Sequence, residues 1–313
     1  MRIRATLAAT TVSGALALAA FAVPAAQATD GTGLAQAHKL AQQAASGHQS
    51  GMQARSLTAA DSGDPYVLNA TFSNIKVNSS KSAIVVGTTN TVHVSYSFTF
   101  THGSDADPTA DDFVSGIDLY RNTDDGNFLF GDLPATCTAA SSTVANCKGS
   151  IDINPQEELT NTDAGAHWTG EAFATAYNGQ DPSDPNADWS KVGTAYQDAV
   201  SSNALQRYSK LTVNASPEPV KKGGTLTITG ALTRANWDTH KYAGYTVQPV
   251  KLQFRKSSSS SYPTTYLKTV TSSSTGSLKT TYTATYSGYW RYHFLGTSTT
   301  PAVKATGDYV AVQ

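Results

Sequence analysis

The chain has 313 residues, 22 of them basic and 23 acidic, with a formal net charge of −1 at pH 7. That length holds two domains of ordinary size, and 2 Cys and 2 Met set among abundant Thr, Ser, Tyr, Val and Gly favour strands over helices. No G-x-S-x-G elbow, H-E-x-x-H helix or P-loop occurs and the 7 histidines are scattered, so the chain is not expected to be an enzyme.

Arg2 and Arg4 precede an apolar stretch from Leu7 to Val23, and Ala26-Gln27-Ala28 offers a small-x-small cut before Thr29. Residues 1–28 are therefore expected to be a signal peptide. Thr10, Thr11, Ser13, Gly14 and Pro24 make the stretch a poor spanning helix, so no transmembrane anchor is expected. The protein should be secreted, extracellular or cell-wall-associated. Residues 29–64 form a leader, helical or disordered, in which Leu34, Leu40 and Ala44 fall at helix-like spacing before "SGHQSG" breaks the pattern.

Strand alternation begins near Tyr66. In "TVHVSYSFTFT" (91–101), Val92, Val94, Tyr96, Phe98 and Phe100 share one face, while His93, Ser95, Ser97 and Thr99 share the other. "YVLNATFSNIKV", "GIDLYR", "GSIDIN" and "WTGEAFATAY" read alike, with a turn at "DDGN" (124–127). Cys137 and Cys147 flank a Ser/Ala-rich turn, and an exported protein with one close pair should link them in a cross-strand disulfide near a hairpin tip. We place an acidic β-sandwich at 65–205 and a basic immunoglobulin-like β-sandwich at 206–313, an all-β fold in two tandem units. The second unit shows seven strand segments, the count of an immunoglobulin-like sandwich. Val77-Asn78-Ser79-Ser80 and Val213-Asn214-Ala215-Ser216 open similar short stretches in the two halves, a weak internal repeat.

"GYWRYHFLG" (288–296) alternates as well. Trp290, Tyr292 and Phe294 should point into a core, and Tyr289, Arg291 and His293 outward, where they could meet a ligand. The segments "KLTVNASPEPVKKGGTLTITGALTRANWDTHKYAGYTVQPVKLQFRK" and "GYWRYHFLGTSTTPAVKATGDYVAV" resemble the secreted bacterial proteins built from tandem immunoglobulin-like β-sandwiches. The resemblance covers 207–313 and reaches 66–205 only as strand pattern. It implies a sandwich fold and an extracellular role in adhesion, wall association, presentation or scaffolding, and it implies no catalytic residues. In such folds an aromatic near the start of the penultimate strand packs in the core and bonds back across a corner, a role suited to Trp290 or Tyr292.

Charge divides sharply along the chain. Residues 29–206 carry 20 acids and 7 bases, and residues 207–313 carry 3 acids and 13 bases. A basic sandwich outside a cell suits an acidic cell-surface polymer or protein, or the chain's own acidic half. Nucleic acid is not expected, because the cations are spread over many strands. The pattern carries no signal of oligomeric state.

Two loops remain. No cofactor is expected; the one ion to weigh is calcium, for which Asp181, Asp184, Asn186 and Asp188 of "NGQDPSDPNADW" could supply oxygen donors. The spacing opens like an EF-hand, but Trp189 replaces its Gly and Ala195 its final Glu, and the same residues also serve as turn formers. "ANWDTHKYAGYTVQP" (235–249) reads as a long connection holding Trp237, Asp238, His240, Tyr242 and Tyr245, the expected binding residues if the sandwich is instead a carbohydrate binder, calcium-supported or not. Glu157, Glu158 and Glu171 are the carboxylates that glycoside chemistry would need, though a sequence does not show their separation.

Overall fold

Alternating apolar strands must bury one face each, and they do so here within two compact units. The computed structural model describes residues 31–49, 63–121, 128–165 and 167–313. The signal-peptide reading of residues 1–28 and the turn at 124–127 lie outside the described residues. The first unit takes the described residues up to Ile84, with Thr91–Ile153 and His167–Asn203; the second takes Val85–Asn90, Asn154–Ala166 and Ala204–Gln313.

The first unit is built from α1 (Gly31–Gln49), β1 (Tyr66–Val67), β2 (Ala70–Val77), β3 (Ala83–Val86), β4 (Val92–His102), β5 (Phe113–Tyr120), β6 (Phe128–Leu129), β7 (Thr136–Ser141), β8 (Val144–Ile153), β9 (His167–Ala176) and β10 (Gly193–Arg207), of which β3 and β10 run on into the second unit at Val85 and Ala204. One sheet runs β2-β4-β8-β7; the other runs β1-β10-β9-β5-β6, with β3 also on β10. Read in chain order, this is the A-B-E-D and G-F-C division of a constant-type immunoglobulin-like sandwich. Val94, Tyr96, Phe98 and Phe100 of β4 are buried as their alternation requires, as are Ile117 and Leu119 of β5 and Trp168 and Ala172 of β9. Cys137 and Cys147 are direct partners in the β7–β8 register and are joined by a disulfide. The bond thus ties two neighbouring strands of one sheet.

The segment 31–49, for which the sequence left helix and disorder open, is a helix. Its buried stripe is Leu34, Ala37, His38 and Ala41. It packs on the outer face of β5, β9 and β10 with Val114, Phe173, Tyr177 and Val192, and the Thr175 hydroxyl donates to the Ala37 carbonyl at 3.0 Å. Nearly every residue of β5 and β9 is buried, because one face meets the opposing sheet and the other meets α1.

The second unit contains β11 (Ser209–Leu211), β12 (Asn214–Ser216), β13 (Thr225–Asn236), β14 (Lys241–Gly244), β15 (Pro249–Lys256), β16 (Lys268–Thr271), β17 (Ser277–Thr283), β18 (Gly288–Phe294), β19 (Val303–Lys304) and β20 (Asp308–Val310). β12 and β17 flank β13 in one layer; β16, β15, β18 and β20 form the other. Trp290, Tyr292 and Phe294 face the core with Leu226, Ile228, Leu252 and Val310. The Tyr292 hydroxyl donates to the Ile228 carbonyl at 2.9 Å, so the buried tyrosine bonds across the two layers rather than around a corner. Residue 230 must be glycine: a Cβ there would lie 2.3 Å from the Thr212 carbonyl and 3.0 Å from the Tyr292 ring.

The connection expected at 235–249 is not one continuous loop. β13 continues to Asn236 and pairs with β14, so Asn236 and Lys241 close a hairpin whose turn is Trp237 to His240. His240 there takes φ 53°, the left-handed conformation such a turn needs.

Candidate functional site

The residues singled out for binding do not form an open site. Trp237 is fully buried; its indole N–H donates to the Gly87 carbonyl at 2.9 Å and its amide to Asn161 at 3.0 Å. Asp238 accepts the Asn161 amide at 2.9 Å. Tyr245 is buried beneath the Arg234 guanidinium, which lies 3.8 Å from its ring centre. Tyr242 is half-buried, with the Lys210 ammonium 3.6 Å over its ring, and His240 sits in the turn. A stacking platform needs free ring faces, and Trp237 and Tyr245 have none to offer.

The four residues proposed for calcium each close a local turn. Asp181 accepts from Ser183, Asp184 from Asn186, and Asp188 from Ser190 and Lys191. Those donors hold the Asp181 and Asp188 carboxyls below the usual carboxylate range. The turn-forming reading of this loop is the one its hydrogen bonds follow.

Two other constellations stand out. The first lies under α1. Asp118 of β5 and Glu171 of β9 are direct cross-strand partners, and both are essentially unexposed. Like charges placed opposite on adjacent strands repel, and burial raises that cost. His38 of α1 descends between them, with Nδ1 3.5 Å from Asp118 and Nε2 in contact with Glu171. The Tyr196 hydroxyl donates to the other oxygen of Glu171. Phe128, Phe130 and Phe173 surround the imidazole, with ring centres 5.2 to 5.6 Å from it. Burial works against charge on His38, but Glu171 and Asp118 outweigh it and raise its pKa. Burial, reinforced by Glu171 and opposed by His38, pushes Asp118 well above the usual carboxylate range. Burial and Glu171 likewise raise the Tyr196 phenol. This cluster leaves one legible signal in the sequence: a carboxylate inside each of two otherwise largely apolar strand segments, "GIDLY" and "GEAFATA".

The second constellation is the outer face of β15, β18 and β20. The register sets Lys251 opposite His293, Gln253 opposite Arg291, Arg255 opposite Tyr289, and Tyr289 opposite Tyr309. Arg255 lies 3.8 Å over Tyr289, Arg291 lies 3.6 Å over Tyr262, and Tyr289 meets Tyr309 at 5.1 Å. Lys251 and His293 both reach Tyr266, at 5.9 Å. Arg291 Nε also donates to Gln253 at 2.9 Å. Burial, then Lys304 and Arg291, lowers the His293 pKa, so the face keeps its charge on Arg and Lys. Among the described residues no carboxylate joins this face; the nearest in sequence, Asp308, accepts the Ala215 amide instead. The outward trio of "GYWRYHFLG" is therefore part of a basic, tyrosine-rich surface.

No family model matches the chain, and no curated protein matches it. Solved structures do. The ectodomain of mouse nectin-like molecule 4, with three immunoglobulin domains, is 13% identical, covers 79% of this chain and 65% of its own, and has a TM-score of 0.24. The Escherichia coli adhesin FdeC is 11% identical over 82% of this chain and 66% of its own, with a TM-score of 0.26. Tandem immunoglobulin repeats of Dlar are 10% identical over 79% of this chain and 99% of their own, with a TM-score of 0.19. The chain thus spans just under two thirds of the first two. The sandwich assignment rests on the strand order described above. Among the described residues, no helix is long and apolar enough to cross a membrane.

Proposed function

We propose that the protein is a non-catalytic extracellular interaction protein that binds an acidic cell-surface polymer through the outer face of β15, β18 and β20. One observation carries this reading. Lys251, Arg255, Arg291 and Lys304 share a sheet face with Tyr262, Tyr266, Tyr289 and Tyr309, and no acid there neutralises them. The tyrosines hold the guanidinium planes in place, so a repeating anion meets pre-positioned donors at a reduced entropic cost. Uncharged sugar is the weaker alternative, because Trp237 and Tyr245 are buried.

The test is co-sedimentation of the full chain with isolated bacterial cell walls, untreated and stripped of acidic polymer, at low and at physiological salt. Pelleting that needs the acidic polymer, weakens with salt and falls at least about tenfold in the Arg255→Gln, Arg291→Gln double variant supports the reading; ten-fold corresponds to about 1.4 kcal/mol. Equal pelleting of the double variant, or none by the parent protein, sinks it.

A further inference from the structure

We propose that His38, Asp118 and Glu171 form a zinc site that fastens α1 to the first sandwich. The site is independent of the basic face in the other unit. Its three residues come from three elements, α1, β5 and β9, and are 3%, 1% and 0% exposed. One donor atom from each lies within 4.8 Å of the other two. Neither Asp118 oxygen accepts a well-formed hydrogen bond, while His38 Nε2 and Glu171 Oε1, equally buried, have among the described residues no partner beyond their contact with each other. Buried polar atoms ordinarily find partners, and two buried Asp118 oxygens with none, set beside the His38–Glu171 contact, call for one that all three side chains can share.

A divalent cation meets that need in three ways. Its charge cancels two carboxylates beside a neutral imidazole, which relieves the repulsion that the β5–β9 register imposes. It gives the unpartnered Asp118 oxygens a partner shared with Glu171 and His38. It also suits the shell: Tyr196 donates to the second oxygen of Glu171 and so fixes the direction of that ligand, while Phe128, Phe130 and Phe173 keep the surroundings apolar.

The donor set selects the ion. Calcium takes six to eight oxygens and magnesium retains several waters, and neither requirement fits three protein donors walled by phenyl rings. One imidazole nitrogen with two carboxylate oxygens and no thiolate suits zinc, which binds such donors at about 2.0–2.2 Å in a four-coordinate shell. Bonds of that length bring ligand atoms to roughly 3.3 Å apart. The donors, all within 4.8 Å of one another, therefore settle to that spacing as the ion replaces the direct His38–Glu171 contact.

The experiment uses the full chain, stripped with a chelator, dialysed and titrated with zinc chloride, with bound metal read by elemental mass spectrometry. The proposal expects one zinc per chain, a thermal midpoint that rises with zinc and falls back on chelation, and a visible ligand-field band when cobalt replaces zinc. Asp118→Asn and Glu171→Gln should each weaken uptake by about tenfold or more. His38→Gln should abolish the cobalt band. Absence of stoichiometric zinc in the parent protein, with a melting midpoint indifferent to zinc and chelator, overturns the proposal and leaves protons as what balances the cluster. Uptake in His38→Gln equal to that of the parent also overturns it, since the ion would then sit elsewhere. The parent protein's metal content decides the matter even if a variant fails to fold.

Discussion

Replacing Trp237 separates a ligand-stacking residue from a structural one. Its side chain is fully buried, and its indole N–H is the donor to the Gly87 carbonyl. Truncation to alanine removes an entire buried indole, which costs about 3–5 kcal/mol where surroundings relax only partly. Trp237→Phe keeps most of the apolar volume and removes the N–H, leaving the Gly87 carbonyl without that donor at a cost of about 1–3 kcal/mol. Since a whole domain is stable by only about 5–15 kcal/mol, the alanine change should consume a large part of the second unit's margin. The assay is guanidinium unfolding of the full chain followed by circular dichroism, fitted as two transitions because the chain has two compact units. The ordering expected is parent, then Trp237→Phe, then Trp237→Ala, with wall binding unchanged at temperatures where each variant is folded. A loss below about 1 kcal/mol for alanine, together with lost binding, would refute the structural reading of this turn.

Two further outcomes are expected. Burial acts to raise the Asp152 carboxyl, but the Asp132 amide at 2.9 Å, His93 and Ser150 outweigh it and hold its pKa below the usual range. A depressed carboxylate contributes stability that is present above its unfolded value near 4 and is lost as pH falls through the folded value; unfolding titrations should show Asp152→Asn less stable than the parent at neutral pH, with the gap closing as the pH falls below the unfolded value. A gap that widens on acidification would contradict this. Replacing Cys137 and Cys147 together by alanine opens a loop of sequence separation 10, which the chain-entropy account values at about 3 kcal/mol or less. Because their strands stay in register through the β7–β8 ladder, the variant should keep its circular dichroism spectrum while its unfolding midpoint drops.

The architecture was legible wherever one face of a strand is dry and the other wet. β4 and β18 alternate in burial as their residues alternate in polarity, and the direction of Trp290, Tyr292 and Phe294 follows from period two alone. β5 and β9 were harder, because a helix from far away in sequence covers their second face and erases the alternation. α1 itself was half-hidden. Its buried stripe is made of Leu34, two alanines and a histidine, so its apolar side is weak, and Leu40 and Ala44 are only partly covered. The turn at Trp237 misled for a different reason: aromatic, polar and Gly residues between two strands look the same whether the rings point to solvent or fold inward. Nothing local records that Asp118 and Glu171 meet, since register is a property of paired strands.

The seat of α1 also sets an order of assembly. The hydroxyl that donates to the Ala37 carbonyl lies 138 positions further along the chain, on β9, and His38 finds its carboxylates only once β5 and β9 are paired. A helix of 19 residues with so small an apolar stripe gains little by forming alone. The first helix to be synthesised is thus among the last pieces to find its place, since a loop of that span is closed only when the far contacts already exist to reward it. Until then the outer side of β5 and β9 stands uncovered, with two like charges side by side, and it is the arrival of α1 that completes the unit.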